Sequence, residues 1–152
     1  MAATSGLGAV TAGGNLAQDL LNHITPNSST QATTITITGP IKARMVTSVS
    51  TNTTPGTTCS DANYADQAVT WAAASTTAGA GYGVGYVQKA SSAGLTFGGG
   101  TGFAVAQTFT GVWYVSSDAT PVQVAYENFA AGVVVPINNQ YTVAAGSATI
   151  AL

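Results

Sequence analysis

The sequence predicts a mainly β protein: an antiparallel β-sandwich or barrel, led by a short N-terminal helix and an extended N-terminal arm. Three observations carry that reading. Short runs alternating apolar and polar residues recur after Pro26, with turn-forming segments between them. One stretch only, just before Pro26, has apolar residues at helical spacing. A chain of 152 residues with 45% hydrophobic side chains can bury one real core but is short for two domains.

The elements follow in order. Residues 1–14 are small and Gly-rich without periodicity and read as the arm, and residues 15–152 read as a single β-sandwich domain. The helix is LAQDLLNHI, residues 16–24. Asn15 caps it, Gln18 completes a capping box, and Leu16, Leu20, Leu21 and Ile24 share one face. So short a helix does not hold alone, so its stripe is expected to pack on the sheet. Thr25, placed before Pro26, ends it.

Residues 33–38, TTITIT, alternate Thr and Ile. After Gly39 and Pro40 the run IKARMVTSVS alternates again through Ile41, Ala43 and Met45, which leaves Lys42 and Arg44 on a solvated face. TNTTPGTTCSDAN is a turn-rich loop. It leads into YADQAVTW, with Ala65, Gln67, Val69 and Trp71 on one face and Tyr64, Asp66, Ala68 and Thr70 on the other. Residues 72–102 hold 9 of the 18 glycines, and read as a flexible loop or as a place where backbones come close. The part from about 78 to 102 is a Gly-rich insertion. FAVAQTFTGVWYV, PVQVAYENF, VVVPINNQYTV and SATIAL then follow as short strands, divided by SSDAT, AAG and AAGS turns.

The charge count is low. Three Lys or Arg and five Asp or Glu make 5% of the chain, against about 25% in ordinary domains. Twenty-four Thr and twelve Ser keep the surface polar without charge. Lys42, Arg44 and Lys89 cannot form the basic stripe that neutralises phosphates, so no nucleic acid is expected as a partner. A mean hydropathy of +0.28 with a net charge of −2 is the opposite of a disordered composition. A surface this poor in gatekeeper charges suits a subunit covered by its neighbours better than a Thr-rich free monomer.

No basic n-region opens the chain, so no signal peptide is expected, folding is expected in a cytoplasm, and the sequons at Asn27 and Asn52 carry no glycosylation meaning. No run approaches the ~18 apolar residues of a spanning helix, and no membrane partner is expected. Cys59 is the only cysteine, which rules out an intrachain disulfide and reads as a small buried residue.

The remaining titratable inventory is Asp19, Asp61, Asp66, Asp118, Glu127 and His23. Asp61 and Asp66 flank Tyr64 and come nearest to a carboxylate pair, but SDANYAD offers too few oxygens for a calcium loop and reads as turn chemistry. His23 stands near the helix C-terminus with no second His or Cys at ligand spacing. GAGYGVG and GGGTG lack the Gly-Lys-Ser/Thr ending of a phosphate loop. No catalytic residue, metal ligand or cofactor is expected, and the chain is not expected to be an enzyme. The aromatic residues hold the remaining functional signal. Tyr82 and Tyr86 in the Gly-rich stretch, and Trp113 beside Tyr114, are the interface candidates, as protein anchors or as stacking platforms for a sugar. Trp71 and Trp113 also fit the core of a sandwich.

The order of segments resembles a family of small tailed-phage virion proteins, often labelled phage tail fibre or minor structural protein. The pieces that carry the likeness are LAQDLLNHI, IKARMVTS, GTTCSDANYADQAVTW, the short LTF strand, and the C-terminal block from VWYVSSDAT to AAGSATIAL. They span most of residues 15–152. The chain departs from the family at Asp66, since the family tends to carry a basic residue after its Tyr-Ala pair, and in the expanded stretch from Ala78 to Gly102. The resemblance implies a non-enzymatic virion structural protein. The expectation is a minor capsid or decoration protein that stabilises the head through subunit contacts, with the major capsid protein or other virion proteins as partners. A homo-oligomer, such as a trimer, and assembly in the host cytoplasm go with it. The alternative is a tail fibre or tail-tip subunit that contributes to binding of host-surface glycans.

Overall fold

A computed structural model of the chain describes residues 4–7, 39–51, 54–73, 75–77, 86–119, 121 and 123–151. Within them the protein is mainly β, its sheets are all antiparallel, and no helix occurs. The expected helix at 16–24 and the strand at 33–38 lie outside the described residues.

Ten strands form three sheets. β1 (Thr4–Leu7), β8 (Gln123–Val135), β7 (Gln107–Val115), β2 (Lys42–Val46) and β3 (Gln67–Ala68) pair in that order in a five-stranded sheet. β10 (Thr149–Ala151), β5 (Tyr86–Ala90) and β4 (Ser75–Thr77) form a second, and β6 (Leu95–Phe97) pairs with β9 (Tyr141–Val143) in a third. Part of the N-terminal arm is thus an edge strand, since Thr4–Leu7 lies along β8 with Thr4 opposite Asn128 and Leu7 opposite Ala125.

The alternation read in β2 places Ala43 and Met45 inward, each almost fully buried. They join Leu95 and Phe97 of β6 with Phe109, Val112 and Tyr114 of β7 in the main core. Aromatic rings run through it: Phe103 to Phe109 at 5.3 Å between centroids, Phe109 to Tyr141 at 5.9 Å, and Tyr141 to Phe97 at 6.4 Å. Full burial of each such ring stabilises the fold by about 1.5–3 kcal/mol.

The opposite face of β2 corrects the solvated reading. Lys42 and Arg44 are only half-exposed, and Val46 on the same face is fully buried with Trp113 and Val115 in a second, smaller core. The chain after β2 is the cause, because it folds back over this face. The Thr47 N–H donates to Thr57 C=O at 2.8 Å, and the Cys59 N–H donates to Met45 C=O at 3.1 Å. Gly56 touches down so closely that a Cβ there would stand 2.2 Å from the Ser48 carbonyl oxygen.

A buried amide fastens this loop. Asn128 Oδ1 accepts the Ser50 N–H at 3.0 Å, and Asn128 Nδ2 donates to the Ser50 carbonyl at 2.7 Å. The Ser50 hydroxyl accepts the Trp113 indole N–H and the Gly56 N–H. Asn128 therefore acts as one residue of a strand that is not there.

Three strands differ from the expected lengths. The run 64–71 shrinks to the two residues of β3, because Trp71 bridges Ser91 and Ala72 donates to Ala90, so the chain leaves β2 for the edge of β5. The strand expected from Phe103 begins only at Gln107, since the Ala104 and Val105 N–H groups turn to the Asp61 carboxylate at 3.1 and 3.0 Å. The expected AAG turn is no turn: β8 runs through residues 130–132. Between the pairs Phe109–Val133 and Gly111–Asn128, β7 has one residue and β8 has four, so the small residues form a wide bulge. The SSDAT and AAGS segments do connect strands as expected.

In the Gly-rich stretch, Gly102 is a point of close backbone approach. Its φ is +81°, and a Cβ there would lie 2.3 Å from the Asn138 carbonyl carbon. Residues 78–85 lie outside the described residues.

Replacing Asn128 by Ala strands the buried N–H and C=O of Ser50, and is expected to cost about 2–4 kcal/mol. The midpoint of urea denaturation measures it. Asn128→Asp keeps an acceptor but no donor and is expected to fall between wild type and Asn128→Ala.

Candidate functional site: an apolar cavity with one carboxyl

Three of the eight charged residues close the fold. Arg44 Nε and Nη2 donate to Asp66 Oδ2 at 3.0 and 2.7 Å, with the two side chains 27% and 18% exposed. The Tyr64 hydroxyl donates to Asp66 Oδ1 at 2.8 Å and accepts the Met45 N–H at 2.7 Å. Burial, reinforced by the Asp66 charge, holds the Tyr64 hydroxyl far above its usual range.

Asp61 is the second polar junction. Its carboxylate accepts from the N–H groups of Asn63, Ala104 and Val105 and from the Gln107 side-chain amide. The Asn63 N–H is foremost in lowering its pKa below the usual 3.8, partial burial opposes this, and the Ala104, Val105 and Gln107 bonds add to it. The Cys59 thiol, buried beside it, donates weakly to Gln107 Oε1 at 3.6 Å and is pushed up by burial. Asp61 thus makes the turn bond read in SDANYAD, whereas Asp66 departs from that reading and pairs with Arg44 across the strands. Among the described residues no three of His, Cys, Asp and Glu converge as metal ligands.

The interface candidates separate. Trp113 and Tyr114 are 1% and 2% exposed, which corrects their reading as anchors. The β-strand alternation sends Trp113 to the second core, against Tyr126, and Tyr114 to the main core, 5.6 Å from the Trp71 ring. A side chain enclosed by its own chain offers no surface to a partner. Tyr86 lies in β5 opposite Thr77, and Tyr82 lies outside the described residues.

Among the described residues a cavity of about 180 Å³, partly open, lies between the five-stranded sheet and the β6–β9 pair. Its floor is one row across the sheet, Met45, Val112 and Glu127, which stand opposite one another on β2, β7 and β8. Leu95 and Phe97 of β6 and Tyr141 and Val143 of β9 form the facing wall, with Phe129 beside Glu127 along β8.

Glu127 is the one carboxyl in this lining. Burial alone raises its pKa above the usual 4.5, with no hydrogen bond among the described residues to offset it. Its charge, after burial, also raises the Tyr141 hydroxyl. The arrangement can hold a proton or a cation against apolar and aromatic walls. Sequence reasoning counted Glu127 but gave it no role. The signal was the alternation Ala125, Glu127, Phe129, which sets a carboxyl in an apolar stripe.

Compared with protein-family models, with curated proteins and with solved structures, the chain matches none.

The two carboxyls predict opposite pH signatures. Glu127 has a raised folded pKa, so the folded state binds its proton more tightly and stability falls as pH rises above 4.5. Glu127→Gln is expected to be more stable than wild type at pH 7, the gap closing as pH falls below 4.5. Asp61 has a lowered folded pKa, so its contribution is present above 3.8 and lost as pH falls below it. Asp61→Asn is expected to be less stable at pH 7, the gap closing at low pH. Denaturation midpoints across pH 3–8 read both.

Proposed function

We propose that this chain is a non-enzymatic structural subunit of a bacteriophage virion, a minor capsid or decoration protein acting through subunit–subunit contacts. In this reading the five-stranded and two-stranded sheets are the two layers of a β-sandwich, and the shared core of Met45, Val112, Tyr114, Leu95 and Phe97 supports that arrangement.

The observation that carries the reading is how little charge the chain has and how much of it is engaged. Of eight charged residues, four are taken up in this way: Arg44 and Asp66 neutralise each other, Asp61 is bonded to backbone, and Glu127 lines a largely apolar cavity. Meanwhile Val49, Val105, Val134 and Ile137 stand more than half exposed. A surface with little charge repulsion and several exposed β-branched side chains favours coverage by neighbours. The arm supports it as well: β1 is an uncharged edge strand joined to the rest by a long connection, and such a strand can pair with a neighbouring copy as readily as with its own. The segment likeness to small tailed-phage virion proteins agrees. The tail-fibre alternative asks for exposed aromatic platforms, and the burial of Trp113 and Tyr114 removes two of its four.

Quantitative mass spectrometry of purified particles of the phage that encodes it tests this. A copy number comparable to the major capsid protein is expected, and a count of a few per particle moves the reading to the tail. Absence from particles overturns both. Removal of residues 1–14 is expected to weaken attachment to particles at least tenfold, measured by co-sedimentation.

A further inference from the structure

We propose that the cavity between Glu127 and Tyr141 is a binding site for a small organic cation, an ammonium group on a compact apolar body. This inference is independent of the virion reading.

Size comes first. A dry apolar cavity of ~150 Å³ holds a benzene molecule, and this one measures about 180 Å³ and is partly open. It admits a body of roughly six to ten non-hydrogen atoms. The lining matches such a body, with Met45, Leu95, Val112 and Val143 supplying aliphatic surface.

Charge selects the head group. Glu127 is half-buried and accepts no hydrogen bond among the described residues. Beside it the lining has only Tyr114, Tyr141 and Ser147 as polar side chains, and a carboxylate so placed without a described hydrogen-bond partner is unfavourable, a penalty that a cation removes. The described cationic side chains do not provide one. Lys42 and Arg44 stand on the opposite face of β2 from Met45, and Arg44 is committed to Asp66.

Rings complete the site. Tyr141 stands 6.4 Å from Phe97 and 6.4 Å from Phe129, the latter pair tilted by 52°, so aromatic side chains meet at an angle on the wall of the cavity. Ring faces attract an ammonium group, and the attraction grows as water is excluded. An anion meets the Glu127 charge, and a neutral guest leaves that carboxylate unpartnered.

Methyl NMR titration of the full chain at pH 7 tests the assignment with benzylammonium, toluene and benzoate. Benzylammonium is expected to shift the methyls of Met45, Leu95, Val112 and Val143 in a saturable way, toluene to bind at least tenfold more weakly, and benzoate to leave them unmoved. Glu127→Gln is expected to lose at least tenfold in benzylammonium affinity while keeping that for toluene. Nα-acetyl-lysine methylamide separates two sources of the same chemistry. Affinity equal to benzylammonium supports the site with a lysine side chain as guest, and tenfold weaker affinity supports it with a free amine. Toluene binding as tightly as benzylammonium to wild type overturns the proposal, even if the variant fails to fold. Unchanged benzylammonium affinity in a folded Glu127→Gln, or shifts confined to residues outside the cavity, overturns it as well.

Discussion

The pairing of the Asn128 side chain with the backbone of Ser50 is the interaction on which the rest depends. These residues are 78 positions apart, and the amide gives Ser50 both of the hydrogen bonds that a neighbouring strand gives. Without it the Ser50 N–H and C=O are left unpaired over Val46, Trp113 and Val115, and the loop is held by its remaining bonds, among them those at Thr47, Cys59 and the Trp113 indole. Buried backbone groups have to be paired somewhere, and here a side chain does what a sixth strand would have done. The same solution recurs. Asp61 gathers the Ala104 and Val105 N–H groups, Asn63 Nδ2 donates to the Gly102 carbonyl at 2.8 Å, and the Tyr64 hydroxyl accepts the Met45 N–H. A chain rich in short polar side chains and poor in charge closes its loops by side chain to backbone bonds rather than by ion pairs. Its one ion pair among the described residues is partly exposed, and such pairs contribute only about 0–1 kcal/mol.

Glu127 and Asn128 are consecutive, and strand geometry sends them to opposite faces. Asn128 is buried, and its amide is fully engaged with Ser50. Glu127 lines the cavity with burial and no bond among the described residues. Both faces carry core, the main one on the Glu127 side and the smaller on the Asn128 side, and the two polar groups differ in how they are satisfied. A neutral amide in a low-dielectric setting is satisfied by two hydrogen bonds. A carboxylate in a comparable setting needs a proton or a cation, which is why the site chemistry gathers on the β6–β9 side of the sheet.

Much of the fold was legible wherever period two was undisturbed. Ile41, Ala43 and Met45 point as the sequence pattern says, the SSDAT and AAGS segments connect strands, and Cys59 is buried. The departures share one physical cause. Local patterning cannot see a polar group that arrives from far along the chain. Asp61 draws away the N–H groups of residues 104 and 105, and Ser91 draws Trp71 from β2. The AAG segment is absorbed as a bulge because β7 continues past it, and the continuity of a partner strand is not written in three small residues. Trp113 was ambiguous, and Tyr114 read as an interface residue, for another reason. A sheet covered on both faces hides its alternation, and adjacent aromatics then both become core. The candidate site was the least visible of all, since its wall comes from β6 and β9, far in sequence from its floor.

The same accounting bears on assembly. A sheet edge is protected by brevity, by charge or by cover. β3, at one edge of the five-stranded sheet, has two residues and relies on brevity. β1, at the other, is a run of Thr, Ser, Gly and Leu, uncharged and long enough to pair. Half of the chain's eight charges are engaged elsewhere, in the Arg44–Asp66 pair, on backbone N–H groups or in the cavity. The protein thus stabilises its loops with the polar groups that a solitary subunit needs on its surface, and on the virion reading neighbouring subunits supply the cover that those groups do not.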